Sequence, residues 1–151
     1  MKKIIISENQ LNMLNNNSIT FDKTNDTIVF YIDENEIGQL IFNKAYPDEI
    51  ENEYSDSIDD FNPKILKFFD YFTPIVNIED IWVNKEYQGN NLFRTILQIG
   101  MDELKKDNKQ FILRAHSDNG FPNEKLEQIY ASVGFQTLQY TENDGIIMGL
   151  K

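Results

Sequence analysis

Residues 78–104 read IEDIWVNKEYQGNNLFRTILQIGMDEL and carry the strongest structural signal in the chain. A short β-like run, Ile78 to Val83, leads into a polar turn from Asn84 to Asn91. A helix is predicted next, because apolar residues then recur at helical spacing. The free N–H groups of a first helical turn point back at the preceding turn, where the helix dipole favours an anion. The pattern therefore predicts a phosphate-binding turn, followed by a helix whose apolar residues are Leu92, Phe93, Ile96, Leu97, Met101 and Leu104.

Composition restricts the class of protein. Hydrophobic residues make up 40% and aromatic residues 13% of 151 residues, which favours one globular domain, 1–151. No apolar run is long enough to span a membrane, and the N-terminus turns polar by Ser7, too early for a signal peptide. We therefore expect a cytoplasmic protein. With no cysteine and one histidine, neither a thiolate zinc site nor a His-rich metal site is expected.

The charge of the chain is strongly negative. Its formal net charge is −11, from 25 acidic against 14 basic residues. Such a surface repels nucleic acid and anionic membranes and attracts cations such as an amine, although acidity can also serve solubility alone. Seven acidic residues lie between Asp48 and Asp60 without a Lys or Arg. They form either an electronegative lip for a cationic acceptor or a solvated surface insertion. With Pro47, their mutual repulsion predicts a loop or short helices over residues 45–60.

The remaining elements follow from periodicity and turn residues. A strand at 3–6 and a helix at 7–14 are predicted first, followed by an antiparallel meander whose last turn is Glu34-Asn35. Asn62 is expected to cap a helix that starts at Pro63. The other predicted elements are strands at 18–21, 27–33, 36–42 and 111–115, a helix at 63–72, and a terminal hairpin at 135–140 and 145–150.

Two stretches resemble the GNAT superfamily of acetyl-CoA-dependent N-acetyltransferases. The run from Val83 to Phe93, VNKEYQGNNLF, is similar to that family's motif A, Val-x-Pro-x-Tyr followed by Gln/Arg-x-x-Gly-x-Gly/Ala. Asn91 and Phe93 stand where the family has its two small residues, and Asn is the residue after Gly that best tolerates a left-handed backbone. The run from Asn123 to Phe135 looks like motif B, Asn-x-x-Ala-x-x-Leu-Tyr-x-x-x-Gly-Phe. Its Gly134 suits a left-handed position after a helix.

The resemblance implies an α/β (α+β) GNAT fold, a mixed central sheet of six to seven strands flanked by about four helices. It implies acetyl-CoA as co-substrate and an amine acceptor that attacks directly in a ternary complex. A small amine, a peptide N-terminus or a lysine would serve, and a homodimer is possible. The implied cofactor-binding residues are Ile81, Trp82, Val83, Gln88, Gly89, Asn90, Asn91, Leu92, Phe93, Arg94, Asn123 and Tyr130.

The chemistry requires an uncharged amine, so a base must take its proton. Glu79 is our first candidate, because the family often keeps a carboxylate on this strand, and His116 is the second. Tyr130 stands where the family has the Tyr that protonates the departing thiolate, although it could simply pack in the core. Asn123 would bind the CoA arm, act as a helix N-cap, or both.

Three functions remain open from the sequence. The chain could be an active N-acetyltransferase, a GNAT-fold binding module with little or no affinity for CoA, or an acyltransferase that uses a longer acyl-CoA. Asn91 and Phe93 favour the binding module. The apolar region of Phe69 and Trp82 favours the longer acyl chain.

Overall fold

The computed structural model describes residues 19–88, 91–117 and 121–151. The strand and helix predicted within residues 3–14 lie outside this range. The described part holds three α-helices, α1 (Pro47–Ser57), α2 (Leu92–Leu104) and α3 (Asn123–Ser132), and two short 3-10 helices, Pro63–Phe68 and Lys85–Tyr87. Its seven strands are β1 (Ile19–Lys23), β2 (Thr27–Ile32), β3 (Asn35–Ala45), β4 (Ile75–Val83), β5 (Gln110–Ala115), β6 (Gln136–Tyr140) and β7 (Ile146–Leu150).

The strands form one mixed sheet in the order β1-β2-β3-β4-β5-β7-β6. β4 and β5 pair in parallel, from Ile75↔Gln110 to Ile78↔Leu113. The β1–β2, β2–β3, β5–β7 and β6–β7 pairs are antiparallel. The predicted mixed sheet with flanking helices is confirmed, as are the meander and the terminal hairpin. Within the described ranges, no helix has both the length and the apolar character needed to cross a bilayer.

The chain divides into two compact units, and β3 and β4 contribute residues to both. Of the described residues, unit 1 takes in those within 19–42 and 80–104, and unit 2 those within 43–79 and 105–151. A single domain over 1–151 therefore stays a prediction.

Unit 1 contains the meander and α2. The register of the β2–β3 pair shifts between Phe30↔Gly38 and Tyr31↔Glu36. Ile37 is therefore an extra residue that forms a β-bulge in β3. The predicted turn at Glu34-Asn35 is wrong by one position. The strands are joined at Asp33 and Glu34, because Asp33 adopts the left-handed backbone with a φ of 54°.

Unit 2 has its own apolar core, and α1 belongs to it. The predicted loop or short helices over residues 45–60 are wrong, since Pro47–Ser57 is one regular helix. Pro47 fits the first helical position, and the Glu49 carboxylate accepts the Tyr46 N–H at 3.0 Å. Ile50 and Tyr54 are buried one turn apart, while the acidic residues of the helix face solvent. Burial of the apolar stripe thus outweighs the repulsion among exposed carboxylates.

The helix predicted over residues 63–72 is shorter than expected. Asn62 caps it as predicted, because its side-chain oxygen accepts the Lys64 N–H at 3.1 Å, but the 3-10 helix ends at Phe68. The buried amide of Gln110 explains the ending. It accepts the Asp70 N–H at 2.6 Å and donates to the carbonyls of Asp70 and Thr73, which holds these residues in a turn.

The end of α3 is a Schellman motif. Gly134 has a φ of 109° and donates to the Ala131 carbonyl at 3.1 Å, and Phe135 donates to the Tyr130 carbonyl at 3.2 Å. The rings of Tyr130 and Phe135 also contact each other, with centroids 6.1 Å apart. The predicted left-handed position of Gly134 is confirmed.

Replacing Gly134 with Ala should destabilise the protein. A Cβ there would strain the backbone and lie 2.9 Å from Leu150 Cδ1, so we expect a loss of about 1–3 kcal/mol in the free energy of unfolding. Urea denaturation of the variant would measure it. Gln128→Ala, at an exposed position of the same helix, is the control and should change stability by less than about 0.5 kcal/mol. Equal stability of the two variants would contradict this account of the helix end.

Candidate functional site

The turn predicted to bind phosphate begins with Asn84, which anchors it to β3. The Asn84 N–H donates to the Ile37 carbonyl at 2.7 Å, and its side-chain amide donates to the Glu36 carbonyl. These are the carbonyls of the bulged residue Ile37 and of the residue before it, where the register of β2 and β3 shifts. One asparagine therefore satisfies the acceptors that the bulge leaves over and fixes the point at which β4 becomes a turn.

The turn continues as the 3-10 helix Lys85–Tyr87. Tyr87 is buried, and its N–H donates to the Asn84 carbonyl at 2.8 Å. The Gln88 side chain reaches back to donate to the Val83 carbonyl at 3.0 Å. The Gln88 amide thus braces the turn against the end of β4. Gly89 and Asn90 lie outside the described residues.

Asn91 takes the conformation that the family's glycine would supply. Its φ is 57°, and its carbonyl accepts the Thr95 N–H at 3.3 Å, which starts α2. Asn is the non-Gly residue best suited to this backbone. The departure from the motif at this position is therefore compatible with a left-handed backbone at Asn91.

The other predicted cofactor-binding residues of unit 1 differ in burial. Leu92, the first residue of α2, is buried, and Phe93 is half-buried. Five buried residues of α2 form its core stripe together with Gly100, where an added Cβ would lie 2.8 Å from Leu40 Cδ1 and 3.3 Å from Phe30 Cζ. The remaining predicted residues are Arg94, which is exposed, Ile81 and Trp82, which are half-buried, and Val83, which is buried.

Unit 2 contains a cleft of about 200 Å³ that opens to solvent. It brings the predicted base Glu79 together with residues that sequence reasoning did not assign to a site. The lining residues come from α1, β4 and β5 and the residue after α1: Glu53, Tyr54, Ser57, Ile58, Asn77, Ile78, Glu79 and Arg114.

A hydrogen-bonded chain of three side chains runs along one wall of this cleft. The Tyr54 hydroxyl donates to Asn77 Oδ1 at 2.9 Å, and Asn77 Nδ2 donates to Glu53 Oε1 at 3.4 Å. Asn77 is only 3% exposed although it lies in the apolar run of β4. The sequence did contain a signal, namely a polar residue inside an apolar strand. Glu53 was hidden among the seven acidic residues of its segment.

The cleft alters the acidity of its groups. Burial raises the pKa of the Glu53 carboxyl, and the negative charge of Glu79 raises it further. Burial is also the main reason that the pKa of Tyr54 is raised, with Glu53 adding to it. Tyr54 therefore stays protonated at neutral pH and remains the donor to Asn77.

The other predicted catalytic and binding residues of unit 2 do not line the cleft. His116 is exposed directly after β5, beside the backbone of Gly145. Asn123 is the first residue of α3, and its side-chain oxygen accepts the Ser117 N–H at 3.2 Å. The N-cap alternative for Asn123 is wrong, because Pro122 occupies that position. Tyr130 is 6% exposed and packs on Phe135, so its core-packing role is present.

Neutralising Glu53 should stabilise the folded protein at neutral pH. Because the folded-state pKa of Glu53 is raised, its contribution to stability is present below the ordinary value of 4.5 and is lost as the pH rises through the raised pKa. Glu53→Gln should therefore raise the melting temperature at neutral pH, with a gain below about 1 kcal/mol because the side chain is largely exposed.

Thermal unfolding across a pH series would test this, and the difference from wild type should vanish below pH 4.5. Asp56→Asn removes one charge from the same helix outside the cleft and should have a smaller effect. A constant gain at every pH would show that Glu53 is not the cause.

The sequence and the structure give different results when compared with known proteins. Neither a family model nor a curated protein matches the sequence. Solved structures do match. The ribosomal-protein-S18-alanine N-acetyltransferase of Escherichia coli matches 97% of this chain and 77% of its own, with 17% identity and a TM-score of 0.51.

Two further structures show the same likeness. Naa50 of Arabidopsis thaliana, in complex with a bisubstrate analogue, matches over 83% of this chain and 72% of its own, at 15% identity and a TM-score of 0.52. A GNAT-family acetyltransferase of Listeria monocytogenes matches over 82%, at 16% identity and a TM-score of 0.53. This chain spans 63% of the Listeria protein, less than two thirds of its length. The chain therefore has the fold of the GNAT acetyltransferases.

Proposed function

We propose that this protein is an N-acetyltransferase that moves an acetyl group from acetyl-CoA to an amine. The observation that carries the proposal is the backbone of the turn before α2. Asn91 supplies the left-handed conformation at a position where the family has glycine, and Asn84 holds the start of the turn on the bulge of β3.

Acetyl-CoA would bind through the turn and the first turn of α2. In this proposal the backbone N–H groups of residues 88–93 would hold the pyrophosphate, and the exposed Arg94 would add a positive charge. Asn123 would bind the CoA arm. The roles of Ile81, Trp82 and Val83 rest on the resemblance to the family. No metal is required, and the described ranges contain no group of three or more His, Asp or Glu residues that could hold one.

The acceptor would be an amine that arrives as a cation. In the reaction a base removes a proton from the ammonium, the nitrogen lone pair forms the C–N bond, and the C–S bond breaks with its electrons on sulfur. In this proposal Tyr130 donates the proton that the departing thiolate receives. Glu79 and His116 are the bases proposed from the sequence.

The acceptor can be a small amine, a peptide N-terminus or a lysine. Two similar structures were solved with peptide-like ligands, the NatC complex with Gag peptide and CoA, and Naa50 with CoA-Ac-MVNAL. These ligands favour a peptide N-terminus as the first acceptor to assay. A cytoplasmic location and a homodimer belong to the same proposal.

A second candidate is a GNAT-fold binding module without acetyltransferase activity. Phe93 favours it, because a half-buried aromatic ring stands where the family has a small residue that lets the pyrophosphate approach the helix. Failure to bind CoA would select this candidate.

Thermal unfolding with and without acetyl-CoA would decide between the two candidates. A ligand at a hundred times its dissociation constant stabilises the folded state by about 2.7 kcal/mol, which raises the melting temperature by several degrees. We expect this shift with acetyl-CoA and with free CoA, and none with ATP. Asn91→Gly should keep the shift, while Asn91→Val should lose it because a β-branched residue disfavours a positive φ. No shift at millimolar acetyl-CoA would reject the acetyltransferase.

Replacing Tyr130 with Phe should lower turnover and leave CoA binding unchanged. Loss of a general acid typically costs about 100-fold or more, whereas the buried ring and its contact with Phe135 would remain. Thiol release from acetyl-CoA, measured with the best of a panel of peptides and amines, would report the loss. Tyr140→Phe removes an exposed hydroxyl elsewhere in unit 2 and is the control. Equal turnover in the two variants would remove Tyr130 from the mechanism.

A further inference from the structure

The position of Asn77 requires an explanation, because packing alone does not provide one. Its strand neighbours Ile75, Val76 and Ile78 are buried apolar residues, and Asn77 is buried among them. A buried amide is costly unless its polar atoms have hydrogen-bond partners. Both described partners of the Asn77 side chain come from α1 and lie at the cleft, which links the buried amide to the chemistry of the cleft wall.

The direction of the hydrogen bonds is fixed by their chemistry. The Tyr54 hydroxyl stays protonated and donates to Asn77 Oδ1, so Asn77 Nδ2 must face Glu53 as a donor. A neutral donor orients a carboxylate without cancelling its charge. The Asn77 amide therefore directs a neutral donor at the Glu53 carboxylate, 3.4 Å away, and leaves the carboxylate without a cationic partner in this chain of hydrogen bonds.

The charges of the cleft suit a single ammonium group. The cleft is lined by two carboxylates, Glu53 and Glu79, and by one guanidinium, Arg114, whose Nη1 lies 3.9 Å from the Asp144 carboxylate outside the lining. One negative charge of the lining remains uncompensated. A cation that enters the cleft would relieve the repulsion between the two carboxylates.

We propose that the cleft is the subsite for a primary amine, that Glu53 takes the proton of its ammonium, and that Asn77 and Tyr54 position Glu53. The acetyl-transfer chemistry in this proposal rests on the function proposed above. Glu79 supplies the second carboxylate that attracts the ammonium. The raised pKa of Glu53, caused by burial and by Glu79, makes it a stronger proton acceptor than an ordinary carboxylate.

The protons and electrons of the step balance. Glu53 takes one proton from R–NH₃⁺, and the freed lone pair of the amine forms the C–N bond with the acetyl carbon. The C–S bond breaks and its electrons stay on sulfur. The second proton lost by nitrogen goes to the thiolate through Tyr130, and Glu53 later returns its proton to water. The products are the N-acetyl amine and CoA-SH.

Amine binding can be measured without a donor. The full-length ¹⁵N-labelled protein would be titrated with n-butylammonium chloride, and with n-pentanol as a neutral control of similar size. We expect saturable shifts of the Asn77 side-chain amide with the ammonium only. Affinity should rise with pH through the raised pKa of Glu53, whose charged or titratable neighbours are Glu79 on β4, Arg114 on β5 and Tyr54 on its own helix. No saturable shift, or equal binding of pentanol, would overturn the proposal.

A matched pair of variants tests Glu53 itself. Glu53→Gln should weaken n-butylammonium binding by about tenfold, because it removes a charged partner. Asp56→Asn removes the same charge from an exposed position of α1 outside the cleft and should weaken binding by less than about twofold. Equal losses in the two variants would mean that only the overall charge matters, and would overturn the assignment of Glu53.

Tyr54→Phe tests the positioning role. Loss of the hydroxyl frees the Asn77 amide to turn, so n-butylammonium binding should weaken about threefold. The ¹³C titration of the Glu53 carboxyl should move to higher pH, because a donor to the carboxylate is no longer held in place. A purely structural role for Tyr54 would leave that titration unchanged and would overturn the positioning assignment.

These outcomes are separate from those for acetyl-CoA. If n-butylammonium binds but acetyl-CoA does not raise the melting temperature, the proposed acetyl transfer is rejected and the amine subsite stands. If acetyl-CoA raises the melting temperature but the Glu53→Gln variant binds n-butylammonium as tightly as wild type, the proposed acetyltransferase function stands and the role of Glu53 is rejected.

Discussion

The two hydrogen bonds from Asn84 to the bulge of β3 are the constraint on which the geometry of unit 1 depends. A bulge leaves carbonyls that the neighbouring strand does not pair, and buried carbonyls without partners are costly. Asn84 donates to the carbonyls of both Glu36 and Ile37, at the position where β4 ends and the turn begins. Gly38 adds a second constraint, because a Cβ there would collide with the Trp82 carbonyl. These contacts connect the end of β4 to β3 at the point where the chain leaves the strand.

Much of this could be predicted from the sequence, because the deciding residues act locally. Gly and Asn are the residue types that tolerate a left-handed backbone, so their identity alone indicated such a conformation at Gly134 and Asn91. Both residues do have a positive φ. The terminal hairpin and the cap at Asn62 follow from turn and capping residues in the same way. Helical spacing also predicted α2 itself, although spacing alone does not distinguish its buried residues from the half-buried Phe93.

The cleft of unit 2 could not be predicted, because its residues meet only through tertiary contacts. Glu53 and Asn77 are separated by 24 positions, and Arg114 comes from a later strand. The acidic residues of α1 also misled the prediction of secondary structure, since their repulsion is visible in the sequence while the burial of Ile50 and Tyr54 is not. Exposed like charges are screened by water, so a well-buried apolar stripe determines the helix.

The two units illustrate different relations between stability and function. In unit 1 the polar groups near the turn satisfy one another, so the same hydrogen bonds support both the fold and the proposed phosphate site. In unit 2 Glu53 and Glu79 oppose each other, and a neutral residue in place of either would relieve that repulsion. Asn77 holds one of these carboxylates in place instead of neutralising it, which a structural role alone does not require. The repulsion between the two carboxylates destabilises the free protein. An ammonium ion bound in the cleft would remove that repulsion, so an arrangement that is unfavourable in the free protein would favour binding of the cation.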